Sequence, residues 1–239
     1  MPSPCTPLFP LRRQPTTLRV QAPFAMVPSS PPAPVPADPQ PQRERLLALL
    51  RQPPRGACQP HSDEIRRLIT ALEQSQPADL AQPPALAQLE GVWELRWSSS
   101  SQPYLAVRPW LENLQLLAPS QGRAMNLLRL AWPITSLAAI AVEARITITG
   151  AEASSTPQQR VAVRFQRGGW LGPSVGSSRL QLLRRVPQPF PAWLDITVLD
   201  ADLRVCRGNA GTLFALLRRR DLRLEDLLLP LEPTAPPAG

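Results

Sequence analysis

From residue 92 onward the apolar side chains of this chain return at every second position, in one short run after another, with no long helical pattern between them. Trp93, Leu95 and Trp97 share one face of the run 92–98, and Glu94 and Arg96 share the other. In the run 159–167, Val161, Val163 and Phe165 alternate in the same way with Arg160, Arg164 and Gln166. Period 2 marks a strand with one face against an apolar interior and the other in water. Further runs at 111–117, 124–130, 139–149, 178–185, 193–199, 203–206 and 212–218 extend the series. Gly, Pro, Ser and Asn at 151–157, 168–176, 187–191 and 208–211 supply the connections. About eight consecutive strands with short links exclude a parallel α/β sheet and predict a mainly β fold, a closed antiparallel β-barrel.

Upstream the period is that of a helix. Leu46, Leu47, Leu49 and Leu50 form a short helical pattern over 42–52, stopped by Pro53 and Pro54. Ser62 can cap a second helix, Asp63 and Glu64 suit its positive end, and Ile65, Leu68, Ile69 and Leu72 form one stripe before Pro77. Pro83 and Pro84 fill a short link to the first strand. Residues 1–41 are Pro-rich and have no apolar period, which predicts a disordered leader. The expected organisation is that leader, a folded domain over 42–220 (helices within 42–76, barrel within 90–219), and a short helix with a Pro-rich tail over 221–239.

The length of 239 residues is enough to bury a core without disulfides. Cys5, Cys58 and Cys206 are odd in number and widely spaced, which argues against a disulfide framework and a zinc site and points to a reducing compartment. The formal charge of +8 attracts an anionic partner, either nucleic acid or an acidic membrane surface. All the Lys and Arg positions are arginine, which suits phosphate, carboxylate and sulfonate alike. The arginine pairs are scattered, which favours a solvated exterior over a dedicated patch. The six tryptophans are not interleaved with them, so a nucleic-acid protein is the weaker alternative.

No stretch reaches the roughly 18 apolar residues of a membrane span, so the protein is expected to be soluble or peripheral. Arg12, Arg13 and Arg19 precede the first acid, Asp38, a composition that fits a transit peptide and a plain disordered leader equally, and Met1 and Met26 are both candidate starts of the mature chain. His61, the single histidine, reads as a solvent-facing loop residue. No nucleophile and base, paired acid and base, or metal cluster is legible, and 168–176 and 208–211 match no nucleotide-binding loop. The chain is therefore expected to be non-catalytic, with no metal and no cofactor.

Two segments carry a family resemblance. Leu89-Glu90-Gly91-Val92-Trp93-Glu94-Leu95 is similar to the Gly-x-Trp opening of lipocalin-like barrels, in which a short preceding helix closes the bottom and the tryptophan plugs it. Trp193-Leu194-Asp195-Ile196-Thr197-Val198-Leu199-Asp200-Ala201-Asp202 continues into Leu203-Arg204-Val205-Cys206-Arg207-Gly208 and ends with Leu213-Phe214. This resembles the C-terminal signature of the plastid lipid-associated protein (fibrillin) family: an Asp-rich hairpin, an Arg-x-x-Arg-Gly segment and a Phe-bearing last strand. Together the two span roughly 46–219.

The resemblance implies a lipocalin-like barrel that binds an apolar lipid or isoprenoid such as a quinone, carotenoid or acyl lipid. It also implies a monomer at thylakoids or plastoglobule-like lipid bodies of cyanobacteria or plastids. Gly91, Trp93, Asp195, Asp200, Arg204, Arg207 and Gly208 are the matching motif positions. Barrel closure brings first and last strands together, so Arg204 or Arg207 is expected over Trp93, with Asp195, Asp200 and Asp202 orienting it or shaping the hairpin. Val198 departs from the family, many of whose members have tyrosine there. Cavity walls are expected from Trp97, Phe165, Leu182, Ile196 and Phe214, the alternative being a filled barrel that acts as a surface adaptor on lipid. Trp170 and Leu171, read as a loop pair, are expected to touch the membrane.

Overall fold

The computed structural model describes residues 38–131, 138–149, 158–175, 178–188 and 191–230. Residues 1–37 of the expected leader, the expected turn 151–157 and the tail from 231 lie outside them. Three helices precede the sheet: α1 (Gln40–Leu50), α2 (Ser62–Ser75) and α3 (Pro83–Leu89). Prolines in the first turns of α1 and α3 sit where the missing N–H would have no helical partner. The third helix corrects the reading of Pro83 and Pro84 as a plain link.

Nine strands follow: β1 (Gly91–Ser98), β2 (Leu111–Ala118), β3 (Arg123–Leu130), β4 (Ala139–Ile148), β5 (Arg160–Val175), β6 (Ser178–Arg185), β7 (Ala192–Leu199), β8 (Leu203–Gly208) and β9 (Leu213–Arg218). They form one sheet ordered β4-β3-β2-β1-β9-β8-β7-β5-β6, and β4 also pairs with β5, so eight of the nine close in a ring. Every pairing is antiparallel. β6 stands outside the ring: residues 160–163 of β5 pair with β7, whereas 167–175 pair with β6. A short helix, α4 (Leu224–Leu227), ends the described chain.

The run 168–176, expected as a turn, is the second half of β5 as far as Val175. Its glycines serve close strand approach: a Cβ on Gly169, at φ +158, would collide with the Leu182 carbonyl of β6. Three bulges within the ring set which side chains face inward, one of them at Gln166 of β5, which is passed over between Arg167 opposite Glu143 and Phe165 opposite Ala144. In β1 the pairing steps from Leu95 opposite Leu216 to Trp97 opposite Ala215, so Arg96 is an extra residue. In β7 it steps from Ile196 opposite Cys206 to Val198 opposite Val205, with Thr197 extra. Each bulge reverses the alternation beyond it.

Three apolar cores result. Inside the ring are Trp93, Leu95, Ile146, Val161, Ile196, Cys206 and Leu216. On one outer face Trp97, Val198, Val205 and Ala215 seat α1 and α2 through Leu46, Leu50, Ile65 and Ile69. On another, Val92, Leu114, Leu116, Met125, Leu127 and Leu171 are covered by Leu222, Leu224, Leu227, Leu228 and Leu229 around α4.

Candidate functional site

The ring encloses a cavity of about 410 Å³, within the size range of small-molecule sites. One end is closed by α3 and by Trp93, whose indole Nε1 donates to the Leu89 carbonyl at 2.9 Å. Leu89, Leu117, Ile146 and Val161 line that end, while Leu128, Ile140 and Phe165 line the other. Ile140 is 54% exposed although it lines the cavity, so that end is open.

The walls are mostly hydrocarbon, crossed by the amides Asn113, Gln115 and Asn126. These amides lie on strands whose alternate residues, Leu114, Leu116 and Leu127, face the outer core under α4. In β2 and β3 the more apolar set therefore points outward, because α4 and its flanks shield it from water. Periodicity alone gives two alternating faces and cannot say which one a later helix will cover. For that reason the amides were not legible as cavity residues.

Arg204 is the one charged residue on the wall among the described residues, and it is fully buried. Its Nη2 donates to Gln115 Oε1, and its guanidinium lies 5.3 Å from the centre of the Trp93 ring. Burial pushes its pKa down. Arg218 stacks on the same ring at 4.3 Å and donates to the backbone carbonyls of Glu90, at 2.8 Å, and Gln88. It occupies the space beside Gly91 (φ +137), where a Cβ would meet its Nη1.

The other expected site residues divide. Phe165, Ile196, Phe214 and Gly208 line the cavity. Trp97 does not: the bulge at Arg96 turns it to the outer face, where its Nε1 donates to Ser62 Oγ at 3.0 Å. Leu182 does not either, because β6 lies outside the ring and leaves it 61% exposed. Leu171 is buried beneath the α4 side, so it cannot touch a membrane, whereas Trp170 on the opposite face is 41% exposed.

Arg207 points away from Trp93 and pairs with Glu73 of α2, its Nε donating at 2.8 Å. Asp195 accepts from Arg160 at 2.8 and 3.0 Å, and Arg160 in turn stacks 3.8 Å over Trp193. Asp200 shapes the β7–β8 hairpin by accepting from the N–H groups of Asp202 and Leu203, at 2.8 and 2.9 Å, and holds Arg43 of α1 at 2.7 Å. Neither aspartate reaches Arg204.

Outside the ring, Arg123, Arg145, Arg164, Arg167 and Arg185 surround Glu143 in a hollow of about 450 Å³. Arg145 faces Arg164 and Arg167 faces Arg185 across the strands, so positive charge gathers here despite the pairing of Glu143 with Arg167. No group of side chains suited to a metal ion occurs among the described residues. No helix among them is long and apolar enough to cross a membrane.

These features define an antiparallel β protein with an internal, largely apolar cavity. The sequence model of the PAP_fibrillin family matches residues 41–217, most of the chain, and the protein belongs to that family. The family is one of plastid lipid-associated structural proteins. No curated protein and no solved structure matches the chain.

Proposed function

We propose that the ring is a lipocalin-like barrel and that the protein is a non-catalytic carrier of a lipid or isoprenoid, working as a monomer at photosynthetic membranes or their lipid bodies. The observation that carries this reading is the apolar cavity, open at the Ile140 end and continuous there with an exposed apolar surface. Ile140, Trp170 and Leu182 are cross-strand partners in one row over β4, β5 and β6, and all three are exposed. Such a row extends the cavity wall toward a hydrocarbon source. The wall itself offers hydrocarbon, amides and one arginine, which suit holding a molecule rather than transferring protons.

The test is calorimetric titration with hexadecan-1-ol. Near-stoichiometric binding is expected, and Ala144→Trp, which fills the cavity from a buried wall position, should abolish it while leaving the circular dichroism unchanged. Binding that persists in that folded variant would contradict the carrier reading. A second reading, a surface adaptor coating thylakoids or lipid bodies, is favoured by the arginine hollow on the outer face, which suits an anionic membrane surface.

A further inference from the structure

Arg204 sits in an apolar enclosure and has no counter-ion among the described residues. Its Nε and Nη1 are buried and have no hydrogen-bond acceptor by geometry among the described residues, the weak contact of the guanidinium with the Cys206 thiol aside. The ionisable groups acting on it are Cys206 and Arg218. Burial pushes the Cys206 thiol up, which keeps it neutral, and Arg218 has the same sign as Arg204. Trp93 and Gln115 soften the charge without balancing it. An unpaired buried charge is costly, and charged groups held in such environments cluster at binding sites.

Position matters as much as charge. Arg204 pairs with Leu216, Leu216 with Leu95, and Trp93 lies two residues from Leu95, so the guanidinium belongs to the closed end. The open end, at Ile140 and Phe165, has hydrocarbon walls. A molecule that satisfies both ends is anionic at its leading end and apolar behind it.

Resting on the reading of the cavity as a lipid site, we propose that its ligand is a single-chain amphiphile with a carboxylate head. It enters head first, with the carboxylate against Arg204 and Gln115 and the chain among Val142, Val163 and Phe165. A carboxylate brings one negative charge to one guanidinium and suits its donors. A phosphomonoester, at about −1.5 to −2, would leave excess negative charge in the enclosure.

The experiment titrates the full chain by calorimetry at about pH 8, above the carboxylate pKa, with hexadecanoate, hexadecan-1-ol and hexadecyl phosphate. Hexadecanoate should bind roughly 10- to 100-fold more tightly than the alcohol, the span that a hydrogen bond to a charged group supplies. Arg204→Gln should collapse the ratio of acid to alcohol affinity to about one. If that variant does not fold, the ratio of acid to alcohol in the unaltered protein decides. Equal affinities, as expected if water alone solvates Arg204, would overturn the carboxylate assignment while leaving the lipid site standing. Tighter binding of the phosphate would overturn the choice of head group, and binding of none would overturn both the assignment and the lipid site.

Discussion

Glu112 and Arg204 are both buried, and they differ in what surrounds them. Glu112 accepts from Arg129 at 2.7 Å, Arg55 at 2.6 Å and Arg219 at 3.1 Å, and Glu94 beside it also pairs with Arg55 and Arg219. This cluster ties the segment before α2 to β1, β2, β3 and the end of β9. Burial acts to raise the Glu112 pKa, but the bonds from Arg129 and Arg219 prevail and hold it below its ordinary 4.5. A depressed carboxylate contributes stability that is complete above the unfolded value and is lost as pH falls through the folded value. Denaturant titrations should therefore show stability falling below about pH 4.5. Glu112→Gln should lower stability at neutral pH by about 3 kcal/mol and make the acid loss shallower. An unchanged acid profile in the variant would remove Glu112 from this role. The arginines themselves stand in the sequence as scattered pairs, and nothing in their spacing tells the ones that serve Glu112 from Arg204, which lies against Trp93 and Gln115.

At the scale of elements, alternation located the strands and the bulges decided their faces. Trp93 and Leu95 point inward as period 2 requires, but Trp97 points outward because Arg96 is inserted between two paired positions. A single inserted residue leaves no trace in composition, so the switch was not legible. Gly169 departs from expectation for a related reason: glycine signals a turn in most chains, yet here its missing side chain lets β6 lie close against β5. Two variants test this account. Trp97→Ala, which empties the seat of α1 and α2, should cost about 3–5 kcal/mol in chemical denaturation and speed amide exchange in α1. Gly169→Ala should destabilise by about 1–3 kcal/mol, with increased exchange confined largely to β5 and β6. Full protection of those strands in the alanine variant would contradict the close approach of β5 and β6.

For the molecule as a whole, the ring frees its interior by burying apolar residues elsewhere. Two outer faces are covered, one by α1 and α2 and one by the α4 region, which leaves the inside with room for a guest. The mainly β fold and the family were legible from the alternating runs and from the segments around Gly91 and Asp195, while the open end depended on where β6 leaves the ring. That end predicts membrane contact through Trp170 and Leu182. Changing both to serine should weaken binding to phosphatidylcholine vesicles by roughly tenfold or more in sedimentation, since large apolar side chains contribute most of such contact. Unaltered sedimentation would move the contact to another face.

The central claim is that the cavity carries a lipid, and it is met most directly by identifying what the full chain holds when purified from a lipid-rich host. Organic extraction followed by mass spectrometry should yield an apolar molecule in near-stoichiometric amount. A stably folded protein that yields none would contradict the carrier reading and favour a surface adaptor.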